Sequence, residues 1–229
     1  MQEQAAFVTY GWCRSSYAVL ASLARRGVRV HVGDASGLAM ARFSRYAASF
    51  TRLPDFFLQP RAYVEAVCAA LRKTGARVLL PCHEDVGLFS QYRDRLPEGV
   101  KIAIPDWLTY QLAEDKLRLM EIAADAGCPA PAVHTVTSRS QLELLSKQID
   151  FPVVLKTRIG NSAKGVAVAQ SSQELIDKFF DLIKTYNLSE DRWPFIQEYL
   201  PGKAVGVCAL YNGGKRVACF GEEDLRCKE

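Results

Sequence analysis

In the stretch "FPVVLKTRIGNSAKGVAVAQ" (151–170), Lys156 ends an apolar run, and Lys164 stands beside Gly165 in a loop bounded by Gly160 and Gly165. Small residues at Gly160, Ser162, Ala163 and Gly165 allow successive backbone N–H groups to turn toward phosphate oxygens, and Lys156 can reach into the same space. An ordinary surface hairpin with a solvated lysine is the other reading of these residues. The G-x-x-x-x-G spacing is that of a P-loop, but Val166-Ala167 occupy the place of the required Lys-Ser or Lys-Thr. The element that follows also reads as a strand, so a Walker A site is excluded. Two further loops hold candidate residues. "YGWCRSS" follows the first strand, but its one glycine, Gly11, cannot supply the three of a dinucleotide fingerprint, so it is a turn or one wall of a substrate site. In "PCHEDVG", Glu84 is either a substrate residue at the carboxyl end of the sheet or part of the acidic start that helices favour.

The bulk composition limits the chemistry further. The chain has 229 residues, 49% of them hydrophobic and 24% charged, with a formal charge of +4. That is enough chain for one large or two smaller domains. The basic residues are scattered rather than gathered into a stripe, which argues against nucleic acid and leaves a small anionic ligand open. His31, His83 and His134 lie far apart and define no metal set. The seven cysteines contain no C-x-x-C pair and read as free thiols of a reducing compartment. No apolar run is long enough for a membrane span, and no basic region precedes the short apolar stretch at the start. A cytoplasmic protein is expected.

Strand and helix patterns alternate through the first part. "AAFVTY" reads as a buried strand, Val19, Leu20, Leu23 and Ala24 as one helical face, and "VRVHVGD" as a second strand. This is a βαβ unit, hence parallel pairing with a right-handed crossover. A helix from Pro60 to a stop at Gly75, then "RVLLP", "VGLFSQYRDRL" and "KIAIP", complete an open α/β domain over 1–105. Beyond it, Asp106 can cap "WLTYQLA", and "DKLRLMEIAADAG" places Leu117, Met120 and Ala124 on one face. "AVHTV" is a strand. Ser138 with Gln141 and Ser171 with Glu174 have the spacing of capping boxes for two helices. "PFIQEYLPG" is a strand running into a turn, and "VGVCALYNGGKRVACFG" is a hairpin around Asn212-Gly213-Gly214.

"EDKLRLMEIAADAGCPAP", the lysine-terminated strand with its glycine-bounded loop, and "FIQEYLPG" follow one another in an order that resembles the ATP-grasp superfamily, in particular its carbamoyl-phosphate-synthetase-like carboxylate–amine ligases. The resemblance covers nearly the whole chain. It implies an α/β fold class: a Rossmann-like preATP-grasp domain over 1–105, then an incomplete α+β ATP-grasp domain over 106–229 that includes the lid. It implies ATP as cofactor, with Lys116 and Lys156 on the phosphates. The loop Gly160–Ser162–Lys164–Gly165 would then be the mobile cover, and the backbone at Glu198, Tyr199 and Leu200 would read the adenine edge. Mg2+ is implied as well, with its ligands expected beyond residue 229 and none within this chain; Glu222, Glu223, Asp224 and Glu229 sit in no matching motif. Lys203 and Ala204 stand where an acidic ribose ligand is common, so that contact has no assignment. The implied activity joins a carboxylate to an amine or thiol through an acyl phosphate. Small-molecule carboxylate and amine substrates are the implied partners, with a homodimer possible and no nucleic acid or membrane. This chain alone is expected to be inactive, and its hairpin to pair with another copy of the chain or to remain poorly ordered. The alternative reading is a nucleotide- or metabolite-binding module without catalysis of its own.

Overall fold

The computed structural model describes residues 4–161, 163–203 and 205–223, and divides into two compact units, Met1–Glu114 and Asp115–Glu229. Among the described residues of the first unit, a five-stranded parallel sheet has the order β3-β2-β1-β4-β5. Its strands are β1 (Ala5–Val8), β2 (Arg29–Asp34), β3 (Ala47–Arg52), β4 (Val78–Leu80) and β5 (Lys101–Ile102), and its helices α1 (Arg14–Ala24), α2 (Pro60–Thr74), α3 (Asp85–Gln91) and α4 (Trp107–Glu114). Successive strand residues point to opposite faces. Phe7 accordingly joins a cluster with Val67, Leu71, Leu79 and Phe89, while its neighbour Val8 packs with Leu20, Val30 and Val32. Each of these side chains is fully or almost fully buried, at roughly 1.5–3 kcal/mol apiece. Helix α2 begins at a proline, whose missing N–H would go unpaired there in any case, and stops at Gly75 with φ 70°.

Two features of this unit differ from the sequence reading. Strand β3 escaped it, because "AASFTR" pairs on one side only and has no continuous apolar run. The boundary between the units also falls after Glu114 rather than after Pro105. Helix α4 belongs with the first unit because Gly87 of α3 leaves room for the Tyr110 ring, where a Cβ would come within 2.8 Å. Nearby, the Ser90 hydroxyl donates to the Pro105 carbonyl and Arg93 to the carbonyls of Ile104 and Pro105.

In the second unit the described residues form α5 (Lys116–Asp125), β6 (Val133–His134), α6 (Arg139–Leu145), β7 (Val153–Lys156), β8 (Val166–Ala169), α7 (Ser172–Tyr186), β9 (Phe195–Glu198), β10 (Val205–Asn212) and β11 (Lys215–Glu223). Strands β6, β9, β7 and β8, in that order, make an antiparallel sheet. Val153, Leu155, Ala169 and Ile196 of this sheet pack with Leu142 of α6 and Leu175 and Phe179 of α7. Ser138 and Ser171 cap their helices as expected, accepting from the N–H groups of Gln141 and Glu174. The reciprocal half of each capping box differs: Gln141 accepts from Thr137 N–H and Glu174 from Gln170 N–H, each one residue before the cap. On α5, Ala123 rather than Ala124 continues the half-buried face of Leu117 and Met120. Among the described residues, β10 and β11 pair only with each other, through a turn at Gly213 and Gly214 with φ 53° and 76°.

Asp85 is the fully buried charge of the first unit, accepting from the Tyr63 hydroxyl at 2.8 Å and from His83 N–H at 3.2 Å. Burial raises its pKa above the usual carboxylate value. A folded pKa above the unfolded one means stability that is complete below the unfolded pKa and is lost as pH rises through the folded one. We expect the difference in urea-unfolding free energy, Asp85→Asn minus wild type, to shift in favour of the variant as pH rises from 4 through the range just above ordinary carboxylates. A pH-independent difference would contradict this.

Candidate functional site

Lys156 closes β7, paired with Val166 on one side and Phe195 on the other. Because Val153 and Leu155 face the helices, Val154 and Lys156 emerge on the opposite face of the sheet. Val166, Val168 and Gln197, their cross-strand partners or neighbours, lie on that same face. The result is an apolar shelf with one ammonium at its edge. Lys156 Nζ donates to Gln197 Oε1 at 3.0 Å, and Gln197 Nε2 lies 3.5 Å from the Glu198 carbonyl. Burial lowers the lysine pKa, and no carboxylate partners its ammonium among the described residues.

The loop after β7 is pinned at its neck and open at its tip. Buried Thr157 donates its N–H to the Gly165 carbonyl and its hydroxyl to the Ile159 carbonyl. Gly165 must be glycine here, since its φ is 75° and a Cβ would strike the Thr157 side chain. Arg158 grips Asp115 with Nε at 3.0 Å and Nη2 at 2.5 Å from Oδ2, and donates Nη1 to the Asp191 carbonyl. Asp115 also caps α5 by accepting from the N–H groups of Leu117 and Arg118. Lys116 follows directly. Its N–H donates to the Arg158 carbonyl at 2.9 Å and its Nζ to the Gly160 carbonyl at 2.6 Å. The structure thus ties Lys116 to Arg158 and Gly160, while Lys156, two residues before Arg158, holds its ammonium on Gln197. Lys164 is exposed on the loop tip, its N–H donating to the Asn161 carbonyl. Ser162 lies outside the described residues.

The 198–200 segment leaves the sheet at the other end of β7, where Glu198 pairs with Val153, three residues before Lys156. Glu198 is held by its neighbour segment: its N–H donates to the Ala132 carbonyl, and its carboxylate accepts from Ala132 N–H at 3.1 Å. Tyr199 and Leu200 are exposed. Sequence reasoning missed Asp115, Arg158 and Gln197. The only signal for the first two was opposite charge beside the two candidate lysines, and a pair 43 residues apart has no local periodicity to reveal it.

The other two candidates lie in the first unit. Gly11 is buried, and a Cβ there would come within 2.6 Å of Val32, so close packing accounts for this glycine. Glu84 is the residue before α3, half-buried at the carboxyl end of β4, and its side chain does not cap the helix. Beside these loops, Tyr10 stacks on His83 with ring centroids 4.0 Å apart.

Burial works to raise the Asp115 pKa, but the Arg158 hydrogen bonds and charge, with the amides of Arg118 and Leu117, outweigh it and hold the carboxyl below its usual value. A depressed folded pKa gives stability that is present above the unfolded pKa and lost as pH falls through the folded one. Asp115→Asn is expected to destabilise the second unit by about 1–3 kcal/mol at pH 7, the scale of a charge-assisted bond. The gap should close as pH falls toward 3, as followed by chemical unfolding. An equal gap at pH 7 and pH 3 would contradict the assignment.

No protein-family model matches the chain. It is similar to the carbamoyl phosphate synthase large chain of Agathobacter rectalis, at 26% identity over 164 residues, 69% of this chain and 15% of that one. Among solved structures it is similar to N5-carboxyaminoimidazole synthetase from Staphylococcus aureus complexed with ADP, at TM-score 0.74 and 18% identity, covering 98% of this chain and 55% of that one. It is also similar to the biotin carboxylase domain dimer of the Hydrogenobacter thermophilus 2-oxoglutarate carboxylase, in complex with MgADP, ADP and bicarbonate. There the TM-score is 0.71 and the identity 17%, over 90% of this chain and 46% of that one. The chain therefore spans about half the length of these structures and less of the synthase. Motif order, sheet topology and sequence matches agree: the chain has the fold of these proteins and is similar to carboxylate–amine ligases of the ATP-grasp type.

Proposed function

We propose that this chain is the nucleotide-holding part of an ATP-dependent ligase joining a carboxylate to an amine or thiol through an acyl phosphate. The observation that carries the reading is Lys156. It is an ammonium drawn below its usual pKa by burial, with a neutral amide oxygen as its partner and no carboxylate beside it among the described residues. A cation left in that state is suited to an anionic ligand. Lys116, on the same loop neck, adds a second cation. When bound, ATP would supply the phosphoryl group that activates the substrate carboxylate. Lys116 and Lys156 would neutralise its phosphates, the loop 159–164 would cover them and exclude water, and the backbone of 198–200 would meet the base. The ADP held by both structural neighbours supports this assignment. Magnesium accompanies ADP in one of them. Among the described residues no group of three or more His, Cys, Asp or Glu side chains could hold a metal ion, so no step is assigned to magnesium here. A homodimer, like that of the biotin carboxylase domain, belongs to the same reading. No described helix is long and apolar enough to cross a membrane.

A lysine whose folded pKa lies below its unfolded value costs stability while charged. Lys156→Met keeps the length of the side chain and removes the charge. Its unfolding midpoint without nucleotide is expected to equal or exceed that of wild type. Its ATP affinity by calorimetry should be about 10- to 150-fold weaker, the loss of one charge-assisted contact. Unchanged ATP affinity in the folded variant would sink the proposal.

A further inference from the structure

Two of the cysteines lie on neighbouring loops at the carboxyl end of the parallel sheet of the first unit. Cys13 follows β1 and is the N-cap of α1, its Sγ accepting from Ser16 N–H at 3.4 Å. Cys82 follows β4, the strand that neighbours β1 in the sheet. Cys13 Sγ lies 2.9 Å from Ser16 Oγ and 4.0 Å from the Cys82 carbonyl oxygen. The Ser16 hydroxyl thus lies against the Cys13 sulfur, which in turn lies against the backbone of Cys82. Both cysteines are partly exposed, and both are reduced in the structure. Their loops flank the point where the order of the sheet reverses, and they carry the stacked Tyr10 and His83.

We propose that Cys13 and Cys82 are a dithiol pair that a low-molecular-weight disulfide oxidises to an intramolecular cystine joining the loops after β1 and β4. The two sulfurs differ in reactivity. Cys13 is the partly exposed N-cap of the eleven-residue helix α1, open to attack on a small disulfide. Burial pushes the Cys82 thiol up to about 11, so it follows as the second nucleophile. The Cys13 thiolate attacks one sulfur of the small disulfide, forming a mixed disulfide and releasing one small thiol. Cys82 loses its proton and attacks the Cys13 sulfur, forming the cystine and releasing the second small thiol. Two protein thiols are oxidised and one small disulfide is reduced to two thiols. The reverse reaction with excess small thiol reopens the pair, as expected for a disulfide in a reducing compartment. The cystine would fix the loops around Tyr10, His83 and Glu84 in one arrangement.

The test uses the full chain with Cys128, Cys208 and Cys219, all exposed, replaced by serine. The protein is incubated with oxidised glutathione and mapped by non-reducing peptide mass spectrometry. The expected result is a peptide joining Cys13 to Cys82, lost on addition of excess reduced glutathione. In Cys82→Ser the second step has no nucleophile, so one glutathione should remain on Cys13. The thermal midpoint should rise on oxidation in the parent and stay unchanged in Cys82→Ser. Glutathione retained on Cys13 in the parent, or both thiols unmodified while unfolded protein is fully modified, would overturn the proposal.

Discussion

The Arg158–Asp115 ion pair is the constraint on which the second unit's candidate site depends. Each partner serves two purposes. Asp115 starts α5 by accepting its first free amides, and Arg158 reaches on to the Asp191 carbonyl beyond α7. With side chains 24% and 15% exposed, the pair is sheltered enough for its Coulomb attraction to be sizeable and its desolvation cost to be sizeable too. Its contribution therefore lies as much in geometry as in net stability. It joins segments 43 residues apart and so fixes where Lys116 emerges, because the Lys116 backbone bonds to Arg158 itself.

Around that tie the chain divides stiffness from freedom. Strands β7, β8 and β9 are paired and backed by Leu142, Leu175 and Phe179, so Lys156 and Gln197 stand on a firm shelf. In the turn after Arg158, residues 159–161, 163 and 164 are exposed and the backbone is at φ 129° and 61°, at Gly160 and Ala163, with its hold on the sheet concentrated at Thr157, Arg158 and Gly165. Few buried apolar contacts in a segment mean a low free energy of local opening. Under the proposed reading, such a loop would close on nucleotide and release it without disturbing the strands that carry the cations.

Much of this was legible in the sequence because the signals were local. The βαβ rhythm, Gly75 as a helix stop, the capping serines 138 and 171, and the two-glycine turn of the last hairpin all act within a few residues. Lys116 and Lys156 were singled out through the order of weak motifs around them, and the structure shows where each sits. What stayed hidden was long-range or one-sided. Strand β3 is an edge with polar residues and no apolar run. Helix α4 joins the first unit because Gly87 accommodates Tyr110, a fit between two rows of side chains that neither helix displays alone. Gln197 alternates in a short strand and declares its role only when β7 places Lys156 beside it.

The central claim is that nucleotide binds on the β7–β9 shelf beneath the 159–164 loop. Amide hydrogen exchange of the whole chain, with and without ATP, tests it most directly. Slower exchange concentrated in residues 158–165 and 198–200 on adding ATP is the expected result, with strand Val153–Lys156 protected in both states. Protection gained only within residues 4–114, or none at saturating ATP, would contradict the account.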